Sequence, residues 1–310
     1  MLPAFLTTLL FSLSAVSANR CARLIGGTEA NFWRLCWATL LLGLYSQIWG
    51  IGLTGPAFSV FFLGGIVGFG LGDLALFQAL PRIGSRLTIL LVHCLASPMA
   101  SIIEFFWLGT RLTPVQMLCA STILAGVAVA LAPSREPSVV ARREPGWGIF
   151  FGVVAAFGQG FGAVISRKAY QVAQAAGQHT AGIGFGINAA YQRILGGVIF
   201  SGIFLLLVKR DFIVRAARNP QARDTESPPK WKPVLPWLLL NGLAGPALGV
   251  SCYQWALSEQ PTGVVLPIVA LTPLVVIPFS YWFEGERPGK RSLAGGVLAV
   301  IGAVALKIAS

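Results

Sequence analysis

The sequence predicts an all-α membrane protein whose ten transmembrane helices form two five-helix repeats of inverted topology. The chain is 55% hydrophobic and only 11% charged, whereas a soluble domain carries about 25% charged residues. Apolar runs of roughly 20 residues recur from end to end, and each is long enough to cross a hydrocarbon core about 30 Å thick. Alternating segments of about ten residues, typical of an outer-membrane barrel, are not seen.

An internal repeat is the third observation behind this fold class. One stretch reads GLGDLALFQAL, an apolar span, WLGTRLT and a run ending AGVAVAL; another reads LGVSCYQWAL, an apolar span, FEGERPG and a run ending IGAVAL. Gly72 aligns with Gly249 at an offset of 177 residues, and Gly126 aligns with Gly302 at an offset of 176. Such constant spacing indicates a repeat rather than chance similarity between glycine-rich helices.

The first repeat, residues 1–132, holds five predicted helices. They are Leu2–Ala18, Ala30–Trp49, Ala57–Leu80, Arg86–Leu108 and Pro114–Ala132. The first resembles the apolar core of a signal peptide, but no positive charge precedes it, so we expect a retained helix. A turn at Pro81–Ser85 separates the third helix from the fourth, in which Pro98 predicts a break.

Three glycines at spacing four, Gly64, Gly68 and Gly72, share one face of the third helix. A glycine stripe lets a second helix approach backbone to backbone. We therefore expect close helix packing at this face.

A linker at 133–146 leads to the second repeat, residues 147–310. Its predicted helices are Trp147–Ser166, Ile183–Val208, Val234–Leu257, Thr262–Phe283 and Ser292–Ile308. The basic connection Lys209–Pro233 is the longest. Because five is odd, the second copy must enter the membrane in the opposite sense, and the interface of such repeats usually holds a substrate site near the midplane.

The chain has a net charge of +12, and the positions of its Lys and Arg residues predict its topology in the membrane. Of the 23 Lys and Arg residues, 17 lie in connections 1–2, 3–4, 5–6, 7–8 and 9–10, and four lie on the opposite side. Cationic connections stay in the cytoplasm, so both termini are predicted outside it. We expect a multi-pass protein of the bacterial inner membrane, with the lipid bilayer as its partner and no bound nucleic acid.

The repeated motif resembles the EamA domain of the drug/metabolite transporter superfamily, present here in two copies that cover nearly the whole chain. The resemblance implies a ten-helix secondary carrier working by alternating access, commonly an exporter of amino acids, metabolites or drugs. Two features depart from the family pattern: the LGE position is Gly285-Glu286 in the second copy but Gly109-Thr110 in the first, and members are often drawn with both ends in the cytoplasm.

Ionisable side chains within apolar runs are the first candidates for substrate binding or coupling, since each costs about 2.5–3.5 kcal/mol in the membrane and usually faces a cavity. Asp73 could bind substrate or a coupling proton, or anchor a neighbouring helix. His93 could be a core histidine instead. Glu104 could snorkel or pair with Arg111. Arg193 and its counterpart Arg34 could bind an anion, although interfacial snorkelling is the default expectation for both.

Neutral polar residues and two prolines complete the candidates. The polar residues suit an uncharged or zwitterionic ligand, and they are Gln159, Asn188, Gln192, Tyr253 and Gln254. Pro98 and Pro273 occupy matching places in the two copies, and each frees a backbone carbonyl, which is tolerable only beside a cavity or a partner. They point to the central site, with a packing kink as the alternative.

Other function classes find little support in the sequence. The two histidines form no HExxH motif, and there is no GxSxG or Walker motif. The five cysteines are scattered, with no CxxC pair. We therefore expect no enzyme, metal or cofactor. A small-molecule transporter is favoured, with a lipid-carrier flippase or a non-catalytic membrane subunit as the alternative.

Overall fold

The computed structural model describes residues 1–131, 145–218, 231–275 and 290–309, which are almost entirely helical. Helices α1 to α5 and the π-helical segment π1 belong to the first repeat, and the remainder belong to the second. In chain order the elements are α1 (Leu2–Ile25), α2 (Gly27–Trp49), α3 (Phe58–Gly65), π1 (Ile66–Gly72), α4 (Asp73–Leu108), α5 (Pro114–Leu131), α6 (Pro145–Ala175), α7 (Gly182–Arg218), α8 (Trp231–Gly242), π2 (Leu243–Gly249), α9 (Val250–Glu259), α10 (Thr262–Val269) and α11 (Lys290–Ile308).

Seven stretches of the described chain are long and apolar enough to cross a membrane. They are Leu2–Ala22, Phe58–Leu76, Leu90–Leu108, Pro114–Leu131, Pro145–Ala175, Gly182–Arg210 and Trp231–Glu259. Thr262–Val275 and Leu293–Ile308 are shorter apolar helices. A multi-spanning helical protein is therefore confirmed, while ten spans in inverted repeats stay a prediction.

Helices α1 and α6 continue past their predicted ends, and in each the charged residue expected to end the helix has a partner. Arg20 lies over the ring of Trp237, 4.4 Å from its centroid, and α1 runs on to Ile25, where Gly26 at φ 82° turns the chain into α2. In α6, Arg167 pairs with Glu104, and the helix ends at Ala175 rather than Ser166. Much of the predicted linker 133–146 and of the Lys209–Pro233 connection lies outside the described residues, as do the end of the ninth predicted helix and the Gly285-Glu286 motif.

The predicted break at Pro98 is wrong, since every residue from Asp73 to Leu108 is assigned as helix. Pro98 is exposed. Nearby, α4 lies against α6 so closely that a Cβ on Gly160 would be 2.7 Å from the carbonyl oxygen of Ala96. Tight packing against α6 on one side keeps α4 helical where Pro98 cannot donate a backbone hydrogen bond.

The chain nevertheless turns back within α4, as the predicted turn at Pro81–Ser85 requires. Gly158 of α6 packs against Gly72 and Gly160 against Ala96, whereas a straight helix would hold Gly72 and Ala96 about 36 Å apart.

A break does occur before Pro273. Helix α10 ends at Val269, Ala270 and Leu271 form a turn, and helix resumes at Thr272. Pro273 cannot donate to the carbonyl of Val269, which instead accepts the hydroxyl of Thr272 at 2.7 Å. Hydroxyls of α1 satisfy neighbouring carbonyls, since Thr8 donates to Ile268 and Ser12 to Thr272, each at 3.0 Å.

The two π-helical segments lie at equivalent places in the repeats. π1 begins at Ile66 and π2 at Leu243, and their ends, Gly72 and Gly249, keep the 177-residue offset. Packing is reciprocal as well: α6 lies against α3, π1 and α4, while α1 lies against α8, π2 and α9. Short π-helices inside α-helices frequently accompany functional sites.

Paired glycines make the same crossing in both repeats. A Cβ on Gly65 would overlap the carbonyl oxygen of Arg193, and one on Gly242 would lie 3.0 Å from the carbonyl oxygen of Arg34. Gly65 and Gly242 are 177 residues apart. Each repeat therefore brings its third helix onto the backbone of an arginine in the other repeat.

The predicted glycine stripe has a helical partner, as expected. A Cβ on Gly158 of α6 would be 2.7 Å from the Cα of Gly72, and one on Gly162 would be 3.1 Å from the Cα of Gly68. α3, π1 and α6 thus pack backbone to backbone.

Candidate functional site

A cavity of about 90 Å³ lies between the two repeats. Helices α1, α4, α6, α7 and α9 and segment π1 surround it. Its lining residues are Phe11, Gly68, Phe69, Gly72, Asp73, Leu76, Val92, Ala155, Gln159, Arg193, Val250 and Tyr253. Of the sequence-predicted candidates, Asp73, Gln159, Arg193 and Tyr253 come together here.

Equivalent positions of the two repeats face each other across this cavity. Asp73 corresponds to Val250, and Leu76 corresponds to Tyr253, each at the 177-residue offset. The two repeats therefore place different side chains at equivalent positions of the cavity: the first repeat contributes a carboxylate where the second contributes valine.

Asp73 and Arg34 form an ion pair within the first repeat. Nη2 of Arg34 donates to Oδ2 of Asp73 at 3.0 Å, and the two side chains are 17% and 21% exposed. Nε of Arg34 donates to Oδ1 of Asn31 at 2.8 Å. Arg34 lies eight residues after Gly26, hence within about 12 Å of the α1–α2 connection. The pair marks the more exposed end of the cavity.

Arg193 is the deep cation of the site, and the expectation that it snorkels to an interface is wrong. It is only 4% exposed, because α7 carries it into the helix packing about 16 Å from Gly182. Nη1 donates to Ser166 Oγ at 2.7 Å, and the guanidinium lies 5.5 Å from the ring centroid of Phe69. No carboxylate of the described residues forms a salt bridge with it.

Unsatisfied polar atoms surround this guanidinium. Within the described chain, Nε of Arg193, Oε1 of Gln159 and the hydroxyl of Tyr253 are buried without a hydrogen-bond partner. Oε1 of the fully buried Gln254 is also unsatisfied, although its Nε2 donates to Ser166 Oγ at 3.3 Å. Buried polar atoms ordinarily have partners, so this cluster is suited to receive a polar ligand.

Glu104 lies outside the cavity and ties the repeats together near the end of α4. It is 2% exposed and accepts Nε of Arg167 at 3.1 Å and the backbone N–H of Thr262 at 2.7 Å. The Thr262 hydroxyl also contacts it, and Arg167 donates to the carbonyl of Leu257 at 2.8 Å. Its partner is thus Arg167, not Arg111 as one alternative held.

Asn188 and Gln192 hold the connection between α2 and α3. Gln192 Nε2 donates to the carbonyls of Gly52 and Thr54 at 2.9 and 3.0 Å. Asn188 Oδ1 accepts the N–H of Ile51 at 3.0 Å and contacts Ser46. Together with Glu104, these contacts close the end of the repeat interface opposite the Asp73–Arg34 pair.

The remaining candidates do not line the cavity. His93 is half-buried in α4 beside Val92, which does; Pro98 is exposed, and Pro273 is half-buried behind the turn after α10.

Sequence reasoning missed three residues of the polar framework: Ser166, Arg167 and Thr262. Ser166 bridges Arg193 and Gln254, and the other two hold Glu104. Ser166 and Thr262 are common residue types in apolar helices, and only their distant partners distinguish them.

The described residues contain no group of three or more His, Cys, Asp or Glu side chains that could hold a metal ion. What the cavity offers chemically is binding: one deep cation, one ion pair near its exposed end, and neutral donors and acceptors between them.

Solved structures share this architecture. One, described only as the crystal structure of a protein, superposes with a TM-score of 0.73 and covers 99% of this chain and 96% of its own, at 17% sequence identity. At that identity the likeness concerns the fold alone. No curated protein sequence matches the chain.

The EamA-like transporter family model matches two segments, residues 1–132 and 146–307, which are consistent with two EamA repeats. The match covers nearly the whole chain and agrees with the repeated motif, the paired π-helical segments and the cavity between the repeats. This integral membrane protein belongs to the EamA-like transporter family.

Proposed function

We propose that the protein is a secondary active transporter that exports a small metabolite by alternating access. The observation that carries the proposal is the cavity between the repeats, in which the buried Arg193 and the Asp73–Arg34 pair accompany polar atoms without partners. Charged and unsatisfied groups are costly at membrane depth, so they are expected mainly where they bind or transport a ligand.

The reciprocal packing supports two repeats that move against each other. Gly65 against Arg193 and Gly242 against Arg34 are equivalent contacts related by exchange of the repeats. In carriers built from inverted repeats, rocking about such an interface exposes a central site to each side in turn. We propose that the two repeats are inverted relative to each other and together comprise all ten predicted helices.

The two ends of the interface between the repeats differ, as alternating access requires. Glu104, Asn188 and Gln192 close the end nearest the α2–α3 connection, while Asp73 and Arg34 are more exposed at the other. The charge distribution assigns the α1–α2 connection to the cytoplasm. In that orientation, a bacterial inner-membrane exporter would load its substrate in the conformation described here.

A lipid-carrier flippase is less well supported. The described chain has an apolar surface groove on α2, lined by Thr39, Leu40, Gly43, Leu44, Gln47 and Ile48, but none of these residues lines the cavity. A flippase would need a lateral opening that joins the two.

Asp73→Asn is expected to reduce gradient-driven flux about tenfold, because it weakens a charge-assisted hydrogen bond worth roughly 1.5–3 kcal/mol and removes a site for a coupling proton. Flux of radiolabelled metabolites into proteoliposomes with an imposed pH gradient would measure this. The double variant Arg34→Gln/Asp73→Asn separates the two causes: recovered flux would mean that Asp73 only balances Arg34. Equal flux of wild type and Asp73→Asn at every pH would remove Asp73 from the mechanism.

Labelling of single cysteines in a cysteine-free background tests the orientation. An impermeant maleimide added to intact cells is expected to label Thr54→Cys, in the α2–α3 connection, and to spare Thr225→Cys, in the Lys209–Pro233 connection, until the cells are opened. The reverse pattern would place both termini in the cytoplasm.

A further inference from the structure

The charges around the cavity do not balance. Arg34 and Asp73 compensate each other, whereas Arg193 has no carboxylate partner among the described residues. The polar groups that do contact Arg193, such as the Ser166 hydroxyl, are neutral. Arg34, Asp73 and Arg193 together therefore carry one net positive charge in a region of low dielectric constant, where an uncompensated charge is costly.

The packing around Arg193 leaves space for its guanidinium group. A Cβ on Gly162 would lie 2.8 Å from Nη2, and one on Gly68 would also be too close, so both glycines leave room for the guanidinium. Its Nε is buried and unpartnered. The guanidinium is a planar fork that matches the geometry of a carboxylate.

We propose that the transported substrate is a small organic anion of net charge −1, whose carboxylate is bound by Arg193. This rests on the proposed transport function and adds the substrate class. The Tyr253 hydroxyl donates a second hydrogen bond to the ligand, and Oε1 of Gln159 accepts one from a hydroxyl or similar donor on it. Both atoms lack partners in the described chain.

Charge and size favour this class over the alternatives. A monoanion neutralises the net charge of Arg34, Asp73 and Arg193, whereas a zwitterion leaves that positive charge in place and a cation adds to it. The cavity of about 90 Å³ is well below the roughly 300–1,000 Å³ of pockets for drug-sized ligands. A compact ligand is therefore expected.

Matched ligands test the charge directly. Lactate, alanine, lactamide and alaninamide have the same number of non-hydrogen atoms but are an anion, a zwitterion, a neutral molecule and a cation. Thermal unfolding of the purified protein in detergent is followed with each, and with the corresponding phenyl-substituted set. We expect an anion to raise Tm in a concentration-dependent way, while its zwitterionic, neutral and cationic analogues leave Tm unchanged.

Variants assign the effect to Arg193. Arg193→Gln is expected to weaken anion binding at least tenfold, and Tyr253→Phe to weaken it by a smaller factor. Arg193→Lys, which keeps the charge, is expected to retain part of the binding if Arg193→Gln does not fold. Arg111→Gln, at an exposed arginine outside the helices, is the matched control and should bind as wild type does.

Counterflow in proteoliposomes separates this proposal from the transport function. Exchange of the anion supports both. Exchange of alanine or alaninamide without the anion keeps the transporter and overturns the anionic substrate. Anion binding at Arg193 without counterflow keeps the site and overturns the transport function. A Tm unmoved by every anion, or moved equally in Arg193→Gln, overturns the proposed site.

Discussion

Gly65→Ala is expected to lower the free energy of unfolding by about 3 kcal/mol or more, the upper part of the range for overpacked sites. The added methyl group would overlap the carbonyl oxygen of Arg193, and backbone cannot move aside as a flexible side chain can. Helices α3 and α7 must therefore separate. Because that carbonyl belongs to the residue at the base of the cavity, transport should be lost together with stability. Unfolding in a detergent–denaturant series and flux in proteoliposomes would measure the two effects.

Gly296→Ala is the matched control, since a Cβ there meets nothing within 4 Å. Alanine is favoured over glycine in a helix interior by about 1 kcal/mol, so this variant should equal or exceed wild type in stability and should transport normally. If Gly65→Ala were as stable as Gly296→Ala, the close crossing of α3 and α7 would be wrong.

Glu104→Gln is expected to cost about 3 kcal/mol, near the lower end of the range for breaking a buried ion pair, because Arg167 is 18% exposed and can reach some solvent. The substitution keeps the shape of the side chain but leaves Arg167 without a carboxylate and weakens the contacts to Thr262. Since these groups join α4 to α6 and α10, the closed end of the interface should open more often. A cysteine placed at Ser101 should then react faster with an impermeant reagent.

Glu29→Gln supplies the comparison. Glu29 also forms an ion pair between the repeats, with Lys209, but that lysine is 43% exposed, and exposed pairs contribute about 0–1 kcal/mol. The variant Glu104→Leu/Arg167→Met removes both charges at once and should recover part of the lost stability. Equal losses for Glu104→Gln and Glu29→Gln would show that burial does not strengthen the Glu104 contact.

The candidate site could be predicted in part. Asp73, Gln159, Arg193 and Tyr253 were identified because polar side chains in apolar runs are conspicuous, and the structure brings all four to one cavity. Glu104, Asn188 and Gln192 were identified by the same reasoning, yet they hold the repeats together instead. Polarity in a membrane helix predicts that a side chain has a partner, but it does not say whether the partner is the protein or a ligand.

The prolines illustrate a second difference. Pro98 and Pro273 occupy matching positions, and the same lost hydrogen bond was expected to break both helices. Only the helix before Pro273 breaks, where hydroxyls of Thr272, Thr8 and Ser12 satisfy the nearby carbonyls. Pro98 lies on an exposed face of a helix packed against α6.

The sequence by itself determined the solvent in which this protein folds, its helical class and its duplication, because apolar runs and repeat spacing are properties of the chain taken locally. Only the tertiary structure decided that Arg34 is paired with Asp73 and that Arg193, its counterpart, is left without a carboxylate among the described residues. The physical reason is that the energy of a buried charge depends on which groups lie within a few ångströms of it, and those groups come from helices far apart in the sequence.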